Sequence, residues 1–306
     1  MTDTHRFAIV TRDELWPLER HEAAESRLIH GIAEARGNAI DARDDCDRDL
    51  LARCDEERER VAAAIGTLRH GRARSVVSAQ REGDRVSVSS TISVSIAELS
   101  IATTLPHLAA DYELLLELAN VQVEDRRPHL SAPIAWRNGS AAVLLHEAAG
   151  HAAEHAHAPA AWPPWLTAAD ESSAGTADLL AGEMPGARRR QSFTDVPLPR
   201  MTNVVAGNRG SDLELPERRV DVLLVAGGSY EPLTETVTLL VSAADLVEGT
   251  RARRIAPFRI VATRDDIARS LRGAYGPIRR YPGVICSREG QELFVSSLAP
   301  DIVTEL

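Results

Sequence analysis

The sequence predicts an α+β fold: a helical and hairpin N-terminal region, then a strand-rich C-terminal region built around one chemically dense helix. Three observations point there. Between Arg12 and His70, apolar residues recur at spacings of three and four, the helical period. From Ser75 the period falls to two. Beyond residue 190, apolar runs of strand length alternate with Gly and Pro turns.

Taken in order, ELWPLERHEAAESRLIHGIAEAR (14–36) and DRDLLARCDEERERVAAAIGTLRH (47–70) are expected to form helices, with charges between the apolar stripes. SVVSAQREGDRVSVSSTISVSIA (75–97) alternates about Glu82-Gly83-Asp84, which predicts a β-hairpin and a further strand. A helix is expected over 108–120. VEDRRPHLSAP (123–133), mostly polar and holding Pro128 and Pro133, is the expected boundary between an N-terminal domain, 1–128, and a C-terminal domain, 129–306. PIAWRNGSAAVLL leads into the dense helix. Residues 159–190, rich in Ala, Pro and Gly, predict a long loop of the kind that often carries function. VDVLLVAGG, TETVTLLVS, FRIVA and ELFVSSL predict strands, and DDIARSLRG a short helix from Asp265.

Composition narrows the chemistry. The 306 residues, 44% of them hydrophobic, can bury a substantial core. A net charge of -10 argues against a nucleic-acid partner, and the clusters Arg188-Arg189-Arg190 and Arg251 to Arg254 read as solvated loops. There is no lysine, so a phosphate-loop NTPase, a protein kinase, a pyridoxal phosphate enzyme and a Ser-Lys dyad are excluded. Three cysteines, Cys46, Cys54 and Cys286, make no disulfide framework, and Cys46 and Cys54 are expected to fill space. No run approaches the ~20 apolar residues that span a bilayer, and none resembles a secretory signal. The expected location is cytoplasmic, with no membrane contact.

Residues 143–157 read VLLHEAAGHAAEHAH and concentrate four histidines with two glutamates. His146 and His151 are five apart, which on a regular α-helix points them about 140° away from one another. Gly150 permits a wide turn, a π-bulge or a helix break that would bring both imidazoles to one ion. Glu147 would then stand ready to activate a water. His151 and His155, four apart, offer a second pairing without distortion, and a solvated helix face without metal is the plain alternative. An open catalytic zinc site takes three protein ligands. Cys286 is attractive as the third, because a thiolate binds zinc strongly and the other cysteines lie in the helical part. Taken alone, a cysteine such as Cys286 is more often a buried structural thiol. His155 and His157 are expected to be exposed.

LLHEAAGHAAE (144–154) resembles a segment of the TldD/PmbA metallopeptidase family, also called modulator of DNA gyrase. Three further stretches resemble that family in the same order: PLPRMTNVV (197–205), GGSYEPLTETVTL (227–239) and CSREGQELFVSSLAPDI (286–302). The resemblance covers the chain from Pro133 onward. It implies a barrel-like metallopeptidase domain in which His146, His151 and Cys286 hold one Zn2+ per active subunit, with Glu147 as general base. It also implies cleavage of unfolded or modified peptides, and a homodimer or a heterodimer with a catalytically silent sister subunit. Arg200 and Asn203, in PRMTN, are the candidates for binding substrate.

The departures fall in loops. His155-Ala156 replaces the family's Gly-Asp, GGS replaces GGG, EPLTE loses a glycine, and GQELFVS loses a proline and a glycine. The region before Pro133 is shorter than the family's N-terminal domain. A divergent member processing one dedicated peptide, such as a natural-product precursor, fits this pattern. Two alternatives stand beside it: a non-hydrolytic or weakly active partner subunit that binds peptide, and a metal-dependent amide hydrolase acting on a small biosynthetic intermediate.

Overall fold

A computed structural model describes residues 4–19, 22–36, 39–124, 131–209 and 213–306. The fold is α+β and rich in strand. The chain divides into two compact units: 1–116 with 189–198 and 286–294, and 117–188 with 199–285 and 295–306. The boundary expected at Pro128 falls on residues 125–130, outside the described residues.

In the first unit, strands β1 (Thr4–Pro17), β2 (Glu25–Arg36) and β3 (Ala39–Arg43) precede helix α1 (Arg48–Ile65). Strands β4 (Arg72–Glu82), β5 (Arg85–Ile96) and β6 (Leu99–Thr103) follow. They hydrogen-bond in the order β6-β5-β4-β1-β2-β3. Helix α2 (Leu108–Ala119) ends the N-terminal stretch. The helix expected over 14–36 is therefore corrected: the end of β1 and all of β2 occupy it. Spacings of three and four coexist there with a two-residue period, in which Ile29, Gly31, Ala33 and Ala35 share a face. Long-range pairing decides between them, since Ile9 stands opposite Gly31 on one side and Gln80 on the other. Gly31 is required by packing, because a Cβ there would lie 2.3 Å from the ring of Phe193. Phe7, Ile9, Ala33 and Phe193 form the cluster that results.

The helices and the hairpin expected over 47–120 hold, and Cys54 is buried as expected, whereas Cys46 is exposed and fills no space in the core. Helix α1 buries Leu50, Cys54, Val61 and Ile65, one stripe at helical spacing, against β1, β4 and β5. It starts where the Asp47 Oδ1 accepts from Leu50 N at 3.2 Å. The β4–β5 hairpin turns at Gly83, whose φ of +57° is the left-handed first position that a tight turn demands.

The second unit holds β7 (Ile134–Trp136), α3 (Ala141–Leu145), a π-turn (His146–Gly150) and α4 (His151–Glu154). Strands β8 (Leu166–Ser172) and β9 (Gly175–Asp178) then occupy part of the expected long loop. The short strands β10 (Arg188–Arg189) and β11 (Leu198–Pro199) precede β12 (Asn203–Asn208), β13 (Arg218–Glu231), β14 (Thr236–Glu248), β15 (Arg251–Ile255) and β16 (Phe258–Thr263). Helix α5 (Arg264–Ser270) leads to the long hairpin β17 (Leu271–Arg288) and β18 (Gln291–Thr304), whose residues 286–294 are counted with the first unit. The sheet runs β15-β14-β13-β7-β18, with β16 on β14, β12 parallel to β18 and β8 antiparallel to β12. Trp136, fully buried on β7, donates its indole N–H to Thr304 Oγ1 at 3.0 Å. No helix among the described residues is long and apolar enough to cross a membrane.

Replacing Asp47 with Ala removes both the α1 cap and one of the two carboxylates that Arg81 bonds, 2.8 Å away, leaving Asp49 as the other. A loss of about 1 kcal/mol in unfolding free energy is expected by chemical denaturation, with most of it restored by Asn.

Candidate metal centre

The centre starts at a tight turn. Asn138 and Gly139 leave β7 with φ of +54° and +81°, and a Cβ on Gly139 would come within 2.6 Å of the Arg279 carbonyl oxygen. Asn138 N donates to Asp301 Oδ1 at 2.8 Å, and Arg137 pairs with the other oxygen of Asp301 at 2.9 Å. This anchored turn launches α3, whose five residues are all fully buried. An apolar helix without a wet face has no freedom to roll, so the side chains that follow are fixed in direction.

The helix then widens. Residues His146–Gly150 form one π-turn, and the amide of His151 donates to the carbonyl of His146, a bond that spans five residues. The extra residue is absorbed within the turn. The two imidazole rings stand 4.9 Å apart, at 89° to each other. His146, His151 and Cys286 each present one ligand atom, all within 4.8 Å of one another. Cys286, on β17, is buried, as is His146, whose Nδ1 has no hydrogen-bond partner among the described residues. Two imidazoles and a thiol, largely shielded from water and including an unsatisfied buried nitrogen, fit a divalent ion of borderline softness.

Gly150 acts differently from the expectation. Its backbone is ordinary right-handed helix, φ −64° and ψ −52°. What excludes a side chain is Met201, whose Sδ lies 1.9 Å from where a Cβ would be.

Glu147 is 4% exposed, and its Oε2 lies 3.6 Å from His151 Nε2. Gly228 on β13 presses on it: a Cβ there would be 2.6 Å from Glu147 Cγ. The second glycine of GGS thus leaves room for this carboxylate.

Glu154, one turn further on, holds His151. Its Oε2 stands 3.0 Å from His151 Nδ1, and its Oε1 accepts from Met201 N at 2.9 Å. Burial pushes the Glu154 carboxyl up, but the hydrogen bond and charge of His151, the Met201 amide and the charge of His146 outweigh it and bring it to about 2. An ionised Glu154 makes His151 Nδ1 the protonated nitrogen and leaves the Nε2 lone pair available. In the sequence Glu154 is only the second glutamate of the segment 143–157; the signal for this role was its three-residue spacing from His151.

The PRMTN segment lies behind this arrangement. Arg200 is 1% exposed, and its Nε is 3.8 Å from Glu154 Oε1, so the guanidinium faces the carboxylate that holds His151. Asn203 donates from Nδ2 to the Glu171 carbonyl at 2.6 Å and accepts from the Ser296 hydroxyl. The buried Asp170 takes the amides of Thr202 and Asn203 at 2.6 and 3.0 Å. His155 is exposed as expected, whereas His157 is partly buried and bonded to Tyr230 at 2.6 Å.

No protein-family model matches the chain, and no curated protein matches it in sequence. Solved structures do. TldE from Thermococcus kodakarensis superposes with a TM-score of 0.55 at 11% identity, over 99% of this chain and 96% of that one. A Thermotoga maritima protein assigned as a putative modulator of a DNA gyrase gives 0.54 at 8% identity, over 99% and 94%. The chain has the TldD/PmbA fold. This likeness takes in the region before Pro133, where no match was legible in sequence.

Gly150→Ala is expected to lower stability by about 1–3 kcal/mol, the usual effect of overpacking. Adding Met201→Ala should recover part of that loss in a thermal-melt double-mutant cycle. Strict additivity would show that the contact does not constrain the turn.

Proposed function

We propose that the chain is a zinc-dependent peptidase acting on unfolded or modified peptides, with one zinc ion per active subunit held by His146, His151 and Cys286. The supporting observation is the convergence of these three side chains with a buried glutamate beside two of them. Zinc is preferred because one thiolate and two imidazoles are a zinc-type donor set.

Bound zinc supplies a Lewis acid at the scissile carbonyl and acidifies water to a pKa of ~7. The protein does the rest. Glu147 accepts the proton of the attacking water and hands it to the leaving amine nitrogen. Gly228 and burial confine its carboxylate. Glu154 keeps the His151 proton on Nδ1, which preserves Nε2 as a donor of its lone pair. Arg200 acts through Glu154, as a positioning residue: the buried guanidinium balances the charge of a carboxylate that is itself fully buried. Asn203 orients its own loop. A homodimer, or a heterodimer with a sister subunit of the same fold, is the proposed assembly, and a single dedicated peptide the proposed substrate.

Glu147→Gln should retain about one zinc per subunit while hydrolysis of an unfolded polypeptide, followed by mass spectrometry, falls by about 10²–10⁴. Cleavage at the wild-type rate would remove Glu147 from the mechanism. Cys286→Ser should lower the zinc content of purified protein. Undiminished zinc would transfer the third ligand to another residue.

A further inference from the structure

One cluster near the centre has no part in the chemistry above. The rings of His155, His157 and Tyr230 lie 5.8–6.2 Å apart, centroid to centroid. Two elements bring them to the same place. On the helix side, His155 follows His151 by four residues and continues its face. On the strand side, Tyr230 lies two residues beyond Gly228, and the register with β14 is regular from Gly228 opposite Leu239 to Tyr230 opposite Val237. Tyr230 therefore leaves β13 on the face that Gly228 turns toward Glu147. Helix and strand touch first at Glu147 and Gly228, and again at the three rings. His151, partly exposed, lies on the helix between these two contacts.

The phenol is held in a set direction. His157 Nδ1 is 2.6 Å from the Tyr230 hydroxyl and 3.9 Å from Glu235 Oε1. Glu235 in turn pairs with buried Arg264 at 2.5 Å. The imidazole is anchored through its own backbone, since His157 N donates to the Ala152 carbonyl at 3.0 Å. A carboxylate beside Nδ1 favours the tautomer protonated there. The imidazole then donates to the phenolic oxygen, and the phenol directs its own O–H elsewhere. Burial pushes the Tyr230 phenol up to about 12, so it remains a neutral donor.

We infer that Tyr230, oriented by His157, contacts substrate: its hydroxyl donates to a backbone carbonyl of an extended peptide that runs past His151 and the three rings. The inference rests on the peptidase reading, and it makes Tyr230 a binding residue and His157 a positioning residue.

The test uses the full zinc-loaded chain and oxidised insulin B chain as the probe. Tyr230→Phe should lower kcat/KM about tenfold, mainly through KM, the effect of losing one hydrogen bond. Zinc content and melting temperature should stay at wild-type values, and His157→Ala should reproduce the KM effect. Unchanged kcat/KM in Tyr230→Phe overturns the inference. A second arm measures calorimetric affinity for the B chain in Glu147→Gln protein, with and without Tyr230→Phe. About tenfold weaker binding upholds the inference; equal affinity overturns it. If the wild type cleaves nothing, the peptidase reading falls and this second arm decides alone, with absence of binding also counting against Tyr230.

Discussion

The candidate centre depends on one widened helical turn. His146 and His151 are separated by a spacing that a regular helix would point apart, and only the five-residue bond from the His151 amide to the His146 carbonyl brings their rings together. A π-turn is poor secondary structure by itself and persists where its surroundings over-determine it. Here the surroundings act from both ends. Upstream, α3 is buried on every side and fixed by the Asn138–Gly139 turn. Downstream, Glu154 is tied to the Met201 amide, and Met201 itself lies against Gly150. The PRMTN segment is thus the outer wall of the turn, which is why its residues meet the helix rather than open space.

Much of this was legible in the sequence, for identifiable reasons. The spacing of His146 and His151, with a glycine between, is a local feature, and local features survive translation into structure. The strands VDVLLVAGG, TETVTLLVS and FRIVA, and the helix from Asp265, were likewise readable from periodicity and turn residues. The stretch 14–36 misled because its apolar residues satisfy two periods at once, and what decides is pairing: β2 lies against β1, and the end of β1 lies against residues 72–75, remote in sequence. The purpose of Gly150 was misread for the same kind of reason: its neighbour Met201 is far along the chain. Gly228 acts through a contact that no spacing encodes.

Identity of 8–11% with structures of the same fold, alongside the absence of any matching family model, has a physical reading. A fold is maintained by which positions are buried and how strands pair, and many sequences meet those conditions. Such divergence leaves the kinship of the fold readable from coordinates, while strand periodicity and the spacing of His146 and His151 remain readable in this sequence.

Ala156, between His155 and His157, has a φ of +55°, the left-handed conformation that helices commonly adopt at their end with glycine. An alanine there costs about 1 kcal/mol that a glycine would avoid. The bend carries the chain back so that His157 reaches Tyr230 while His155 stays on the face of His151. A methyl group at this position also narrows the range of angles open to the backbone. The chain has given up a little resilience at the end of its histidine-rich helix and gained a stiffer corner, so the separation of its last two imidazoles is set by the backbone.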